Sequence, residues 1–378
     1  MNTGMKTCMF PGQGSQSKGM GGELFERFAA LTAKADDILG YSIRELCLDD
    51  PRGELNDTRF TQPALYTVNA LSYLRAIEDG EGEPDFLAGH SLGEFNALQA
   101  AGCFDFETGL RLVQKRGALM GKVSGGGMAA VINAPADLIR ATLDENGLDE
   151  IFLANYNSPS QIVVSGSAEQ IGKAGGVFNK LKSDLGKVRF LPLNTSGAFH
   201  SRFMRDAMGE FRTFLATMPL SAPRIPVLAN VTARPYTDDA ILDTLADQIA
   251  NTVKWCESVQ YLLALARSRG QEMRFLEFGP GEVLTRMVDA IRKQTPDTVL
   301  DGFFPVATRT ATAAGNDAAR KVADWNQRHP VGTRVRSTVF DYDSLETRSE
   351  AVVLFGHRAA IYMKGYNGYF DLNELQPA

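Results

Sequence analysis

A serine stands between two glycines in the stretch Gly89-His90-Ser91-Leu92-Gly93. An apolar run ends at Gly89 and a helical pattern starts at Glu94, so the serine falls where a strand turns into a helix. In such a turn the glycines permit a sharp bend that leaves the hydroxyl exposed. The helix N-terminus also offers free N–H groups to a developing oxyanion. A serine in a tight turn with no chemistry is the plain alternative. A nucleophilic serine needs a base, and histidine is the usual one. There are four histidines. His90 adjoins Ser91 and is expected to point away from the same site, while His329 and His357 lie in the C-terminal part. His200, in Ser196-Gly197-Ala198-Phe199-His200-Ser201, falls at a junction of subdomains, a natural cleft. Elimination makes it the candidate base, with a satisfied structural histidine as the alternative. No carboxylate between Ser91 and His200 stands out as the acid of a triad in the order Ser–acid–His.

The elements around these residues alternate. Met5–Phe10 reads as a strand, followed by the loop Pro11-Gly12-Gln13-Gly14-Ser15-Gln16, whose glycines allow close backbone approach to a ligand. Helical patterns run over Leu24–Leu39, Ser42–Leu48 and Gln62–Ala76, then a short strand Phe86–Ala88 leads into Ser91 and Glu94–Ala101 is helical. Phe106–Met120 is amphipathic. After a hinge at Gly125-Gly126-Gly127 the order becomes strand (128–132), helix (135–146), strand (151–156), strand (161–165), helix (168–181), strand (187–193), which is the ferredoxin-like pattern. Helices at 203–218, 241–250, 259–268 and 283–292 and strands at 227–229 and 275–278 return to the first texture. Residues 308–319 are rich in Ala, Thr, Gly and Asn and read as a linker. Short strands follow at 333–339, 350–355, 359–363 and 369–372, with Asn367-Gly368 a hairpin signal.

The expected fold class is therefore α/β. Residues 1–127 and 198–307 would form an α/β-hydrolase-like subdomain, with a small ferredoxin-like subdomain inserted at 128–197. Residues 308–329 would be a linker and 330–378 a small C-terminal all-β module, barrel or sheet.

Several of these stretches together resemble one family. Phe10-Pro-Gly-Gln-Gly-Ser-Gln16, Gly89-His-Ser-Leu-Gly-Glu94, Gln114-Lys-Arg-Gly117, Asn157-Ser-Pro-Ser-Gln161 and Ala198-Phe-His-Ser201 are similar to malonyl-CoA:acyl-carrier-protein transacylases. Asn230-Val-Thr-Ala-Arg-Pro235 and Glu277-Phe-Gly-Pro-Gly-Glu-Val-Leu-Thr285 fit the same order. The resemblance spans about residues 5–295 and is nearest to the free-standing acyltransferases that serve polyketide assembly lines in trans. It implies that Ser91 takes the acyl group and His200 is the base, oriented by a backbone carbonyl at Gln248 in place of an acid. It implies an oxyanion hole from the N–H groups of Gln13 and Leu92. Arg116 would clamp the free carboxylate of the acyl group, as a planar guanidinium suits, a solvated helix arginine being the alternative. Phe199, before the histidine, goes with malonyl rather than methylmalonyl selection, with ordinary core as the alternative. Asn157 and Gln161 would support the cleft. The family usually has Asn-Pro-Val where this chain has Asn251-Thr252-Val253.

The implied reaction carries malonyl from malonyl-CoA through Ser91 to the phosphopantetheine thiol of an acyl carrier protein, with no bound cofactor and no metal. Rivals are an acyl hydrolase clearing stalled carriers, a malonyl transacylase of fatty-acid synthesis and a catalytically idle docking module. The net charge of −6 gives no support for a nucleic-acid partner. No stretch has the apolar length of a membrane span or a signal peptide, and the four scattered cysteines read as free thiols. A cytoplasmic monomer is the expectation.

Overall fold

Met5–Phe10 and Phe86–Gly89 are apolar and almost wholly buried, as parallel strands covered on both faces must be. They pair in parallel with Phe10 opposite Gly89, so the loops after both strands leave the sheet at the same edge. Met273–Glu277 pairs on one side of them and Val227–Leu228 on the other, making a four-stranded sheet in the order 273–277, 5–10, 86–89, 227–228. The computed structural model describes residues 4–195, 197–304, 311–337, 345–354, 358–365 and 369–377. The chain divides into two compact units, 1–303 and 304–378.

In the first unit the helices Thr58–Glu78, Gly93–Ala100 and Phe106–Lys122 pack beside the parallel sheet. The first starts a turn before the expected Gln62, because the Asp57 carboxylate caps it by accepting from the Arg59 N–H. The single helix expected over Leu24–Leu39 is two, Leu24–Arg27 and Ala29–Leu39, parted where Phe28 leaves helical geometry. The segment 126–192 runs strand, helix, strand, strand, helix, then a two-stranded hairpin not expected from the sequence, 182–183 with 186–187, and a last strand at 189–192. Its sheet runs Ile151–Ser158, Gln161–Ser167, Gly126–Ile132, Arg189–Pro192, every neighbour antiparallel. Alternation along Met128–Val131 sorts the two faces. Ala129 and Val131 join Ile139, Ile171 and Phe178 in a separate small core, whereas Met128 and Ala130 belong to the main core. The glycine hinge is shorter than expected, since Gly126 and Gly127 already pair with Ser167 and Gly166.

One expectation is corrected in the second unit: within the stretch expected as a linker, 308–329, Ala311–Arg328 is a helix. Alanine is the strongest helix former, and Ala318, Val322 and Trp325 recur at the spacing of one helix face. They join Val335, Leu345, Ile361 and Leu375 in one apolar cluster. Two three-stranded antiparallel sheets complete the unit, 345–346 with 334–337 and 375–377, and 352–354 with 358–362 and 369–371. Asn367-Gly368 lies outside the described residues, but Tyr362 and Tyr369 on either side of it pair in antiparallel register.

Candidate active site

The elbow is built by close packing of backbone. A Cβ on Gly89 would fall 1.9 Å from the Gly93 carbonyl carbon, and one on Gly93 would fall 1.9 Å from the Phe10 oxygen, so neither position accepts a side chain. Between them Ser91 has φ of 52°, a left-handed conformation that costs a non-glycine residue about 1–3 kcal/mol. Asn230 holds it there. Its side-chain oxygen accepts from the Ser91 N–H at 2.7 Å, and its amide donates to the Gly89 carbonyl at 2.7 Å. The Gly12–Gln13 loop lies against the same turn: a Cβ on Gly12 would meet the His90 oxygen at 2.3 Å and the Leu92 nitrogen at 3.6 Å. Leu92 caps the helix Gly93–Ala100, where N–H groups lack an intrahelical acceptor.

His200 comes from the return to the large sheet, 109 residues from Ser91, and its Nε2 lies 2.8 Å from the Ser91 Oγ. Its Nδ1 faces two carbonyl oxygens, Gln248 at 2.9 Å and Asn251 at 3.2 Å. Both are acceptors, so Nδ1 carries the hydrogen and Nε2 is left to accept the serine proton. Burial, with the Arg116 charge second, lowers His200 to about 3. The ring is thus a neutral base at ordinary pH. Thr252 stands where proline is usual, and its hydroxyl donates to the Leu153 carbonyl at 2.8 Å. The Val253 N–H and C=O bond Ala154 and Tyr156. The 251–253 loop is therefore tied to the small sheet without proline.

Arg116, in the helix Phe106–Lys122, is 1% exposed. Its Nη1 donates to the Gln62 side-chain oxygen at 2.8 Å, and its Nη2 to that of Gln248 at 2.8 Å and to Ser91 Oγ at 3.2 Å. Its Nε is buried without a hydrogen-bond partner. Burial lowers its pKa to about 9, with the Glu94 charge opposing. All its hydrogen-bonded neighbours are neutral, so the guanidinium has free capacity for one anion beside the serine.

Asn157 lies behind the elbow, its side-chain oxygen 2.8 Å from His90 Nε2, and the His90 ring packs edge-on against Trp255. His90 thus points away from Ser91. Gln161 sits at the hairpin end of its strand, paired with Ser158 and Ile132, and is outside the hydrogen-bonded cluster around Ser91. Phe199 is buried and its ring lies over Gly197.

The acyl transferase domain family matches residues 7–297, more than three quarters of the chain. The chain belongs to this acyl transferase family. Among its relatives, the polyketide biosynthesis malonyl CoA-acyl carrier protein transacylase PksC of Bacillus subtilis (strain 168) is 53% identical over 289 residues, 76% of this chain and 98% of PksC. The crystal structure of a malonyl CoA-acyl carrier protein transacylase from Burkholderia pseudomallei superposes with TM-score 0.75 at 58% identity, covering 78% of this chain and 100% of that one. A type II polyketide synthase acyl-carrier protein in complex with its malonyl-transacylase, PlMCAT:AntF, gives TM-score 0.70 at 32% identity over 79% and 99% of the chains.

Within this acyl transferase, four cluster residues escape a linear reading. Asn230 and Tyr236 lie just after the edge strand Val227–Leu228 of the parallel sheet, Gln62 on a distant helix, and Glu94 three residues beyond Ser91. Asn230 and Glu94 fall inside stretches that carry the family resemblance, but nothing in their spacing says which atoms they hold. The side chain of Gln248 was likewise out of view, since only its backbone carbonyl was expected to act.

Proposed function

We propose that this chain is a malonyl-CoA:acyl-carrier-protein S-malonyltransferase of polyketide biosynthesis, acting in ping-pong fashion through an acyl ester on Ser91. The observation that carries the reading is Arg116: a buried guanidinium, bonded only to neutral groups, 3.2 Å from the candidate nucleophile. An acyl group with its own free carboxylate satisfies that cation while its thioester carbon meets Ser91. In the first half-reaction His200 Nε2 takes the Ser91 proton as Oγ attacks malonyl-CoA. The oxyanion is held by the N–H groups of Gln13 and Leu92, and on collapse the CoA thiolate takes the proton back from His200. In the second, the phosphopantetheine thiol of the carrier gives its proton to His200 and attacks the ester carbon, and on collapse Ser91 Oγ leaves and takes that proton back from His200. Phe199 restricts the space beside the acyl α-carbon and so favours malonyl over methylmalonyl, a discrimination of about 1–3 kcal/mol for one methyl group. Asn157 supports the elbow through His90, and Gln161 shapes the cleft edge.

The same reading divides residues 1–307 into an α/β-hydrolase-like subdomain, 1–127 and 198–307, and a ferredoxin-like subdomain, 128–197, with the carrier docking at the cleft between them. One chain supplies every reacting group, so the enzyme works as a monomer. Four free, buried cysteines suit the reducing cytoplasm. Among the described residues, no helix is long and apolar enough to cross a membrane.

Intact-protein mass spectrometry after mixing with malonyl-CoA tests the reading. A malonyl adduct that is absent in Ser91→Ala and moves to an acyl carrier protein is the expected result. An adduct that decays to free malonate with every carrier tried points instead to a hydrolase, and no adduct at all overturns the nucleophile.

A further inference from the structure

Glu94 is a carboxylic acid with no exposed surface, and the reaction above does not use it. Such a group is costly to bury unless every lone pair finds a donor. Three donors surround it. The Tyr236 hydroxyl donates at 2.6 Å and the Asn230 N–H at 3.1 Å to one carboxylate oxygen, and the Gln248 side-chain amide donates at 2.6 Å to the other. Two of these three partners hold the reacting groups. Asn230 fixes the Ser91 turn, and Gln248 contacts everything else: its main-chain oxygen takes the His200 Nδ1–H, its amide nitrogen also donates to the Ser91 carbonyl at 2.6 Å, and its side-chain oxygen accepts from Arg116.

We propose that Glu94 is a positioning residue for acyl selection: it locks the Gln248 side-chain amide in the one orientation that presents oxygen to Arg116. The inference rests on the reading of Arg116 as the carboxylate clamp. A primary amide has two orientations of nearly equal shape. In the orientation present, the NH2 faces two acceptors, Glu94 and the Ser91 carbonyl, and the oxygen faces the guanidinium. Rotated by half a turn, the NH2 would face Arg116, donor against donor, and the oxygen would face a carboxylate. Glu94 therefore biases the amide strongly, through one residue, toward a clamp correctly placed beside Ser91. Glu94 lies between Ser91 and His200 in the chain but bonds neither His200 nor Arg116; its link to both runs through Gln248.

Glu94→Gln tests this with little change of volume. A carboxylate accepts on both sides. An amide at position 94, in either orientation, turns an NH2 toward the Asn230 N–H or toward the Gln248 NH2. Relief of the second clash rotates Gln248 against Arg116. Rates of Ser91 loading by malonyl-CoA and by acetyl-CoA are compared in the full chain. The expected result is a fall of at least about tenfold in the malonyl-to-acetyl ratio of kcat/KM, mainly through KM for malonyl-CoA, with acetyl loading within about threefold of wild type. Tyr236→Phe, which leaves the Gln248 contact intact, keeps the wild-type ratio. Equal losses for both acyl groups in Glu94→Gln, or an unchanged ratio, overturn the proposal. If Glu94→Gln does not fold, Glu94→Asp keeps the carboxylate but withdraws it from Gln248 by one methylene, and the same ratio decides. Arg116→Ala is run beside them. If it lowers malonyl and acetyl loading alike, the clamp reading itself fails. If it abolishes malonyl preference while the Glu94 variants keep it, only the positioning role is lost.

Discussion

His200 has both ring nitrogens committed, one to carbonyl oxygens and one to the serine hydroxyl, and its ring is buried. That environment favours the neutral ring, and the consequence is measurable as stability. The group sits at about 3 when folded against 6.5 for a free imidazole. Between those values the unfolded chain holds a proton that the folded chain does not. This contribution therefore leaves stability whole above about pH 6.5 and takes it away as the pH falls toward 3. At about pH 5 the loss is about 2 kcal/mol. Glu94, raised to about 7 by burial, has the opposite sign: its contribution favours the fold as pH falls through that range. Comparison with His200→Gln isolates the histidine, because Glu94 is common to both proteins. Urea unfolding near pH 7.5 and near pH 5 should show wild type losing about 2 kcal/mol more than His200→Gln. Equal losses would mean that His200 titrates as if solvated. The same burial predicts that kcat/KM for acetyl loading, which does not depend on the Glu94 carboxylate, stays flat well below pH 6.5.

Two strands and a helix make the elbow, and their mutual approach sets what each position tolerates. Gly93 is as tight as Gly89, because a methyl group there meets the Phe10 carbonyl oxygen at 1.9 Å, backbone against side chain with no rotamer to relieve it. Gly93→Ala should push the helix Gly93–Ala100 off the sheet, costing about 3 kcal/mol in chemical unfolding. Ser91 acylation should fall at least about 100-fold, since the turn that aims the hydroxyl moves with the helix. A variant with near wild-type loading would show that the helix shifts without carrying Ser91 along. The elbow was legible in the chain because glycine-serine-glycine between a strand and a helix is a local pattern with a local cause. His200 was reached by elimination, and its partner carbonyl at Gln248 only through the family resemblance. Asn230, Tyr236, Gln62 and Glu94 were not reached, and the reason is geometric. Asn230 meets Ser91 from 139 residues away, across a parallel sheet whose strand order does not follow the chain. Glu94 is near in sequence, yet its meaning lies in Gln248, 154 residues on. Local periodicity places elements to within a few residues but is silent on which side chains a crossover connection brings face to face.

The division of the whole chain into two units bears on where it can be cut. The acyl transferase family matches residues 7–297, which lie wholly within the first unit. The first unit here has its own cores, and every residue of the site lies in it. The second has a separate apolar cluster that includes the helix face Ala318, Val322 and Trp325. Composition reads 308–329 as a linker, because its first part is rich in Ala, Thr, Gly and Asn. Periodicity along the same residues carries the opposite message, and packing follows periodicity. The two readings predict different outcomes for two truncations. Ending the chain at 303 removes the second unit with its cluster, and Ser91 should load malonyl at a rate within about twofold of the full chain. Ending it at 329 keeps the helix but strips away Val335, Leu345, Ile361 and Leu375, so an apolar face that was buried meets water. That protein should load malonyl in its soluble fraction but self-associate, eluting as larger species in size-exclusion chromatography where the shorter one does not. If both truncations behave alike and stay monodisperse, the helix is not held by the strands that follow it. If the 303 truncation cannot be acylated, the second unit is part of the catalytic machinery despite lying outside the match to the family.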